Sequence, residues 1–366
     1  IAPNAAAAYS LRSLTGGDPR VVRVRRVIDN AESDFTASGV SSGALTSFVN
    51  DIQTVGTAVN GTGSFDNYTV SNLSTTGFSA DNSAGGTGSA GFPYVFKDED
   101  VLVIKYTVTN FSSTSSLSPK IRGTSSTSSA TEVTSGGTIF TANGTYTDTL
   151  TGTSNGTHLM FADGNTGSYT ISDFEIVSHS SNGFVETWYD QSGNSNDAVQ
   201  ETAGSQPKIV SAGTLLNELD FDGTADELAI DFGADLSQAN SLFMVHQSDS
   251  TSSNSNDFFD RISGSPRTLL DQSGSNYRML SASSVSTGVA VTTDKSLVFA
   301  LYNGASSLFA KNGTATSVLN AGTDGINQNS SLGSSGSNFY NGTMQEVIIY
   351  NSDQSSNRVA LETNIN

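Results

Sequence analysis

Cysteine is absent from the 366 residues, which excludes disulfide staples and thiolate metal sites and leaves the fold to rest on its apolar cores. Basic residues are scarce: 16 Lys and Arg stand against 35 Asp and Glu, a formal charge of −19. Such a chain repels nucleic-acid phosphates, so nucleic acid is not an expected partner. The few cations are scattered, except for Arg20, Arg23, Arg25 and Arg26. Long apolar runs are missing too, so membrane insertion is not expected. Residues 1–8 lack the basic start and apolar stretch of a secretory signal, and the start at Ile1 reads as a processed or trimmed N-terminus. No heptad or collagen-like repeat is present to fix an oligomeric state.

What the chain does contain is Ser, Thr, Gly and Asn filling the spaces between short runs of Val, Ile, Leu, Phe and Tyr. That texture predicts strands and turns, and the length suits two all-β domains of roughly 100 to 250 residues each. Residues 5–14, Ala-rich with Leu11 and Leu14 three apart, predict a short helix. Residues 21–28 alternate Val with Arg and predict a half-buried strand with solvated arginines. A second helix is expected over residues 42–51. From residue 59 to 182 the sequence becomes Ser/Thr/Gly-rich, with β runs at 68–70, 101–109, 120–123, 137–141, 146–151, 157–162 and 169–177, a sandwich of its own. Further runs follow at 187–189, 208–210, 219–221, 228–232, 241–246, 297–302, 308–311 and 344–350. The last is apolar on both faces, as in a central strand covered on each side, and a closing helix over 352–365 follows. Asn-Gly-Thr occurs at Asn60, Asn143, Asn155, Asn312 and Asn341, and reads as a hairpin turn in preference to a glycosylation site.

Several segments resemble a known family: Ala8 to Leu14, Val24-Arg25-Arg26 with Asp29 to Glu32, and Thr187-Trp188-Tyr189-Asp190-Gln191-Ser192-Gly193-Asn194. They resemble the concanavalin A-like module of bacteriophage tail and virion proteins, and the catalytic domain of α-L-arabinofuranosidase B-type enzymes. Phe221 to Leu228 and Phe339 to Tyr350 are similar to the opening and final core strands of laminin-G-like sandwiches. Residues 144–176 are similar to the closing strands of jelly-roll carbohydrate-binding modules. The resemblance implies an all-β protein of two β-sandwiches with a few short peripheral helices. In it a concanavalin A-like lectin sandwich, residues 1–58 plus 183–366, is interrupted by an inserted jelly roll, residues 59–182.

The enzymes resembled use two carboxyl groups flanking the scissile bond. Residues 325–345 hold no carboxylate at the acid/base position; Asp324 and Glu346 lie to either side, and the nucleophilic Glu and the vicinal cysteines are also missing. The expectation is therefore no enzyme and no catalytic residues, with Asp257, Asp260 and Asp271 the carboxylates that distant loops would have to assemble. His158, His179 and His246 are isolated from one another and read as strand or loop residues. Implied functions are glycan adhesion on a virion surface or tail appendage, architectural decoration of a virion, or a secreted bacterial adhesin. Implied partners are glycans and other virion proteins, in an extracellular homo-oligomer that fibre-like relatives would make a trimer.

Trp188, Tyr189, Tyr302 and Tyr340 are the aromatic candidates for stacking on sugar, with core packing the stronger reading of Trp188. Asp190 is expected to be structural, pairing with Arg25 or Arg26. No cofactor is required. Asp220, Asp222 and Asp226, and in the insert Asp100 and Asp173 with Asp98 and Glu99, are either oxygen ligands for Ca²⁺ or solvated turn carboxylates.

Overall fold

The architecture follows from one strand. Asn341–Tyr350 runs through the middle of a sheet, with Asn240–Ser248 along one edge and Ala7–Ser10 and Thr214–Asp222 sharing the other. Val347 and Ile349 point into the main core with Trp188, Leu242 and Met244, whereas Ile348 and Tyr350 pack on the opposite face with Phe243, Phe299 and Leu301. That second face is covered by Leu361 and Ile365 of the helix Arg358–Ile365. A strand covered on both sides must be apolar on both, which is why this segment is so legible. The computed structural model describes residues 4–61, 69–81, 88–113, 118–122, 133–163 and 167–365. Ile1, Tyr68 and Gly123 lie outside them.

A second layer faces the first across the main core, joined to it in one 18-stranded sheet through Lys208–Ser211, which pairs with both Gly183–Trp188 and Thr214–Asp222. Arg20–Arg26 pairs with Glu32–Thr36 and Gly183–Trp188, and the sheet continues through Ala198–Val199, Leu228–Asp231 and Asn329–Leu332 to Ser253–Arg261, Thr268–Gly274 and Asn276–Ser281. Residues 59–180 form two further sheets around a separate core that includes Phe78, Phe92, Tyr106 and Phe161. In the six-stranded one, Val101–Ser113 lies between Gly144–Gly152 and Gly167–Ser180; in the four-stranded one, Gly156–Asp163 lies between Gly88–Phe96 and Ser118–Arg122.

Residues 5–14 are not helical. Ala7–Ser10 is a fully buried strand paired to residues 346–349, so tertiary pairing overrides the helix propensity of alanine. The helix expected at 42–51 is two short ones, Ala37–Ser41 and Ala44–Val49, broken at Gly43. The closing helix starts late, at Arg358, and Asp353 caps only a turn, accepting from the Ser355 amide at 2.8 Å.

The Asn-Gly signal needs correction at four of its five positions. Between Leu308–Lys311 and Thr314–Ala315, Asn312 and Gly313 both have positive φ (49° and 80°), the two-residue hairpin turn. Asn341-Gly342 instead lies inside a strand, where a Cβ on Gly342 would sit 2.2 Å from the Gln247 carbonyl. Asn155 links strands of different sheets, Asn143 caps the Phe111 amide, and Asn60 ends the strand Val59–Asn60. Gly313→Ala is expected to cost about 1 kcal/mol, because a Cβ has room there but the positive φ does not suit it. A urea melt with a lowered midpoint and an unchanged slope would show it.

Candidate functional site

The motif at residues 190–194 is a clamp on the N-terminal strand. Asp190 accepts from the Ala8 amide (2.8 Å), the Ser192 amide (2.8 Å) and hydroxyl (2.7 Å), and the Asn196 amide (3.0 Å). Gln191 donates to the carbonyls of Ser10 and Arg12 and accepts from the Leu14 amide. Asn194 donates to the Ala5 carbonyl. The expected Asp190–arginine pair does not form. Arg25 is buried, contrary to the solvated reading, and donates to Gln206, Asn30 and the Ala203 carbonyl. Arg26 pairs with Asp29 (2.8 Å) and Asp51 (2.9 Å). The arginines stay structural because carboxylates and carbonyls on their own side of the sheet reach them first.

Three of the four aromatic candidates are core residues. Trp188 is buried against Tyr9, with ring centroids 5.6 Å apart; Tyr302 donates to the Leu269 carbonyl, and Tyr340 to the Gln247 carbonyl. None presents a face to a ligand. Tyr189 is half-buried, donates to Asp34 at 2.7 Å, and carries the Arg20 guanidinium 4.7 Å over its ring. His246, between the hydroxyls of Tyr340 (3.1 Å) and Tyr277 (3.0 Å), is pushed by burial to about 3 and is neutral.

The carboxylates do not gather into a metal centre: among the described residues no group of three or more Asp, Glu or His side chains is placed to hold an ion. Asp222 folds a turn, accepting from the amides of Thr224, Ala225 and Asp226, while Asp226 accepts from the Asp222 amide. Burial pushes Asp220 up, and Asp226 up to about 7. Asp100 is buried and accepts from Ser181 Oγ (2.6 Å) and the Lys97 amide (2.9 Å), with His179 Nε2 at 2.9 Å; Tyr94 Oη lies 2.9 Å from the other ring nitrogen. Glu99 is tied to Asn182 and Lys208, and Asp173 sits at positive φ in an irregular strand. Asp257, Asp260 and Asp271 do share a region, with Asp257 directly across the sheet from Asp271. Each is about 1% exposed or less, and Arg267 and Arg278 cover Asp260 and Asp271.

A concave polar site lies elsewhere, where residues 10–13 leave the first strand and cross the central one. A cleft of about 680 Å³ opens there, bordered by Arg12, Asp18, Ser38, Asn217, Gln345 and Glu346. Arg12 donates to both oxygens of Glu346 (2.8 and 3.0 Å) and to the Asn364 carbonyl, and Ser10 Oγ adds a third bond to the carboxylate at 3.0 Å. The Glu346 side chain is 4% exposed and the Arg12 side chain 45%. Burial pushes the Glu346 carboxyl above its usual range, opposed by Arg12 and Ser10. Asp18 ties the rim by accepting from the Ser38 amide (2.7 Å) and hydroxyl (2.6 Å). The signal for this site is a single carboxylate, Glu346, in a strand whose C-terminal half is apolar on both faces; it matches no catalytic position of the enzymes resembled.

No protein-family model matches the chain, and no curated protein does. Among solved structures it is similar to Trypanosoma rangeli sialidase, at 15% identity and a TM-score of 0.36, and to the same enzyme in complex with sialic acid, at 14% and 0.34. Each match covers 48% of this chain, and the chain spans 30% of the sialidase's length. A truncated AlyQ with CBM32 and alginate lyase domains is similar over 80% of this chain and 97% of its own, at 12% identity and a TM-score of 0.24. These proteins are enzymes, which corrects the expectation that the chain is not one: losing the arabinofuranosidase carboxylates does not exclude activity. Likeness at this level assigns no reaction or residue, and what the chain itself shows is an all-β architecture of large antiparallel sheets with few short helices.

Proposed function

We propose that the protein is a glycan-binding β-sandwich protein whose ligand is a neutral sugar chain seated in the Arg12–Glu346 cleft. The observation that carries this reading is the cleft itself, where side chains able to donate and accept converge on a concave surface over an ion pair whose carboxylate is buried and whose guanidinium is half exposed. Neutral sugar fits best because Glu346 already holds Arg12, leaving no uncommitted cation among the lining residues for a sugar carboxylate, while Asp18 and the formal charge of −19 repel anions. Display on a virion surface or tail appendage, as a homo-oligomer beside other virion proteins, is the finer proposal. It is supported by the resemblance of residues 187–194 and 339–350 and by the polar, Cys-free composition.

Asn217 and Gln345 test the cleft without disturbing the ion pair. Asn217 has φ +61°, which glycine adopts freely, so Asn217→Gly with Gln345→Ala removes two polar arms and spares the backbone. Titration calorimetry against neutral oligosaccharides is expected to show a loss of affinity of about tenfold or more, one hydrogen bond being worth roughly 1 kcal/mol. Unchanged affinity overturns the reading. Released reducing ends are measured on the same panel, since a buried acid such as Glu346 is also what a cleaving site would need.

A further inference from the structure

The six-stranded sheet of residues 69–180 carries a groove on its outer face, far in sequence from the cleft. It holds about 260 Å³ and is lined by Ser71, Ser79, Asp81, Asn110, Ser168 and Thr170, with Thr69 at one end and the backs of Ala80 and Tyr169 as floor. Strand register builds its polar wall. Ser71 lies across from Ser79, Ser79 from Thr170, and Thr170 from Thr109, which sets one row of hydroxyls perpendicular to four strands. Adjacent strands are about 4.8 Å apart, so the row presents a hydroxyl at each such step.

One irregularity turns this row into a pocket. Between the pairs Ser168↔Ser112 and Thr170↔Thr109, two residues of one strand, Asn110 and Phe111, oppose Tyr169 alone. Such a bulge re-aims a side chain. Asn110, held at φ +52°, turns its amide over the row and donates to Thr170 Oγ1 at 3.4 Å. Ser79 Oγ and Thr170 Oγ1 lie 3.2 Å apart, and Asn72 donates to Ser79 at 3.3 Å. Two hydroxyls sharing one bond leave one proton uncommitted, and an amide that has given one N–H keeps a second N–H and its carbonyl oxygen. The groove thus offers donors and acceptors side by side, with no cation and one carboxylate, Asp81, in its lining.

We infer that this groove is a second sugar site, taking one ring of a neutral glycan through hydrogen bonds to Asn110, Thr170 and Ser79. The inference rests on the carbohydrate reading above but not on the cleft. Anionic sugars and phosphates are disfavoured by Asp81 and the absence of a cation, a metal ion by the single carboxylate, and an apolar ligand by the polar wall. Two sites on one chain would let a long glycan, or neighbouring glycans on a surface, be held with avidity.

The test is an NMR titration of the full chain with neutral cello-, xylo- and manno-oligosaccharides, with sialyl and uronate oligosaccharides as the anionic arm. The Asn110 side-chain amide and the Thr170 methyl are expected to shift with a neutral sugar and to stay still with the anionic ones. Asn110→Gly, suited to the positive φ, and Thr170→Val, of equal shape, are each expected to weaken this binding about tenfold with unchanged melting temperature. Shifts that survive Asn217→Gly with Gln345→Ala support the groove even if the cleft fails. Silence at Asn110 and Thr170 with every neutral sugar overturns the inference whether or not the cleft binds, as does unaltered affinity in both groove variants.

Discussion

Asp190→Ala is expected to destabilise the protein by about 4 kcal/mol, the largest loss anticipated for any exchange outside the apolar cores. A hydrogen bond to a charged acceptor contributes roughly 1.5–3 kcal/mol, and four converge on this carboxylate, although such bonds within one cluster do not add fully. The exchange strands the amide of Ala8 in a strand with no exposed residue, and a buried amide without a partner costs about 1–3 kcal/mol by itself. It also loosens the loop whose Asn196 carbonyl accepts from the buried Tyr9 hydroxyl. Asp190→Asn keeps one acceptor and should cost roughly half as much. Chemical denaturation settles the point: a loss below about 1 kcal/mol for the alanine variant would mean that the clamp closes without its carboxylate.

The same residues show where sequence reading reached and where it stopped. Residues 187–194 stood out as a motif, and Asp190 as structural, because a carboxylate followed by Ser, Gly and Asn makes a turn. Its partners are not legible, because the resemblance offers a nearby arginine as the natural counter-ion, whereas the structure supplies the Ser192 and Asn196 amides of its own loop and the Ala8 amide of a segment whose alanines favour helix. Asn341–Tyr350 was legible because its two faces meet two cores. Ser253–Arg261, Thr268–Gly274 and Asn276–Ser281 were not, since Asn256, Asp257, Asp260, Asp271, Gln272 and Ser281 occupy buried positions there and dilute the apolar period of two, and Ser284–Ala290 buries only Thr287. Asp257, Asp260 and Asp271 are buried there by the pairing of strands and by Arg267 and Arg278, contacts that no local pattern announces.

Neither candidate groove could be read from spacing. Arg12 and Glu346 are separated by 334 positions, and Asn110 reaches Thr170 only through a bulge that shifts the register by one residue. Aromatic side chains, the expected sugar platforms, were drawn inward instead. In a chain without disulfides the largest rings are the cheapest source of buried area, and Trp188, Tyr302 and Tyr340 went to the core.

Asp226→Asn is expected to stabilise the protein, and only above mildly acidic pH. Burial, reinforced by the neighbouring Asp222 carboxylate, raises Asp226 from 3.8 to about 7, against the Asp222 amide that favours its ionised form. The sign follows from proton counting. Between pH 3.8 and 7 the folded chain keeps a proton on Asp226 that the unfolded chain has released, so the residue's contribution falls as pH rises through that window and reaches its full penalty above 7. At about 1.36 kcal/mol per pH unit that penalty is at most roughly 4 kcal/mol. Asparagine carries no charge to bury and can still accept from the Asp222 amide, so the variant should be more stable than the wild type at pH 8 by up to that amount and no different near pH 3.5. Asp257→Asn should behave alike with a smaller gain and an earlier midpoint, its carboxyl being raised to about 6 by burial and by Asp271 across the sheet. Comparing variant with wild type at each pH cancels the general repulsion among the remaining carboxylates of a chain at −19. Melting curves from pH 3.5 to 8.5 give the answer: a difference between Asp226→Asn and wild type that does not change with pH would mean that Asp226 titrates in the folded protein as it does in the unfolded chain.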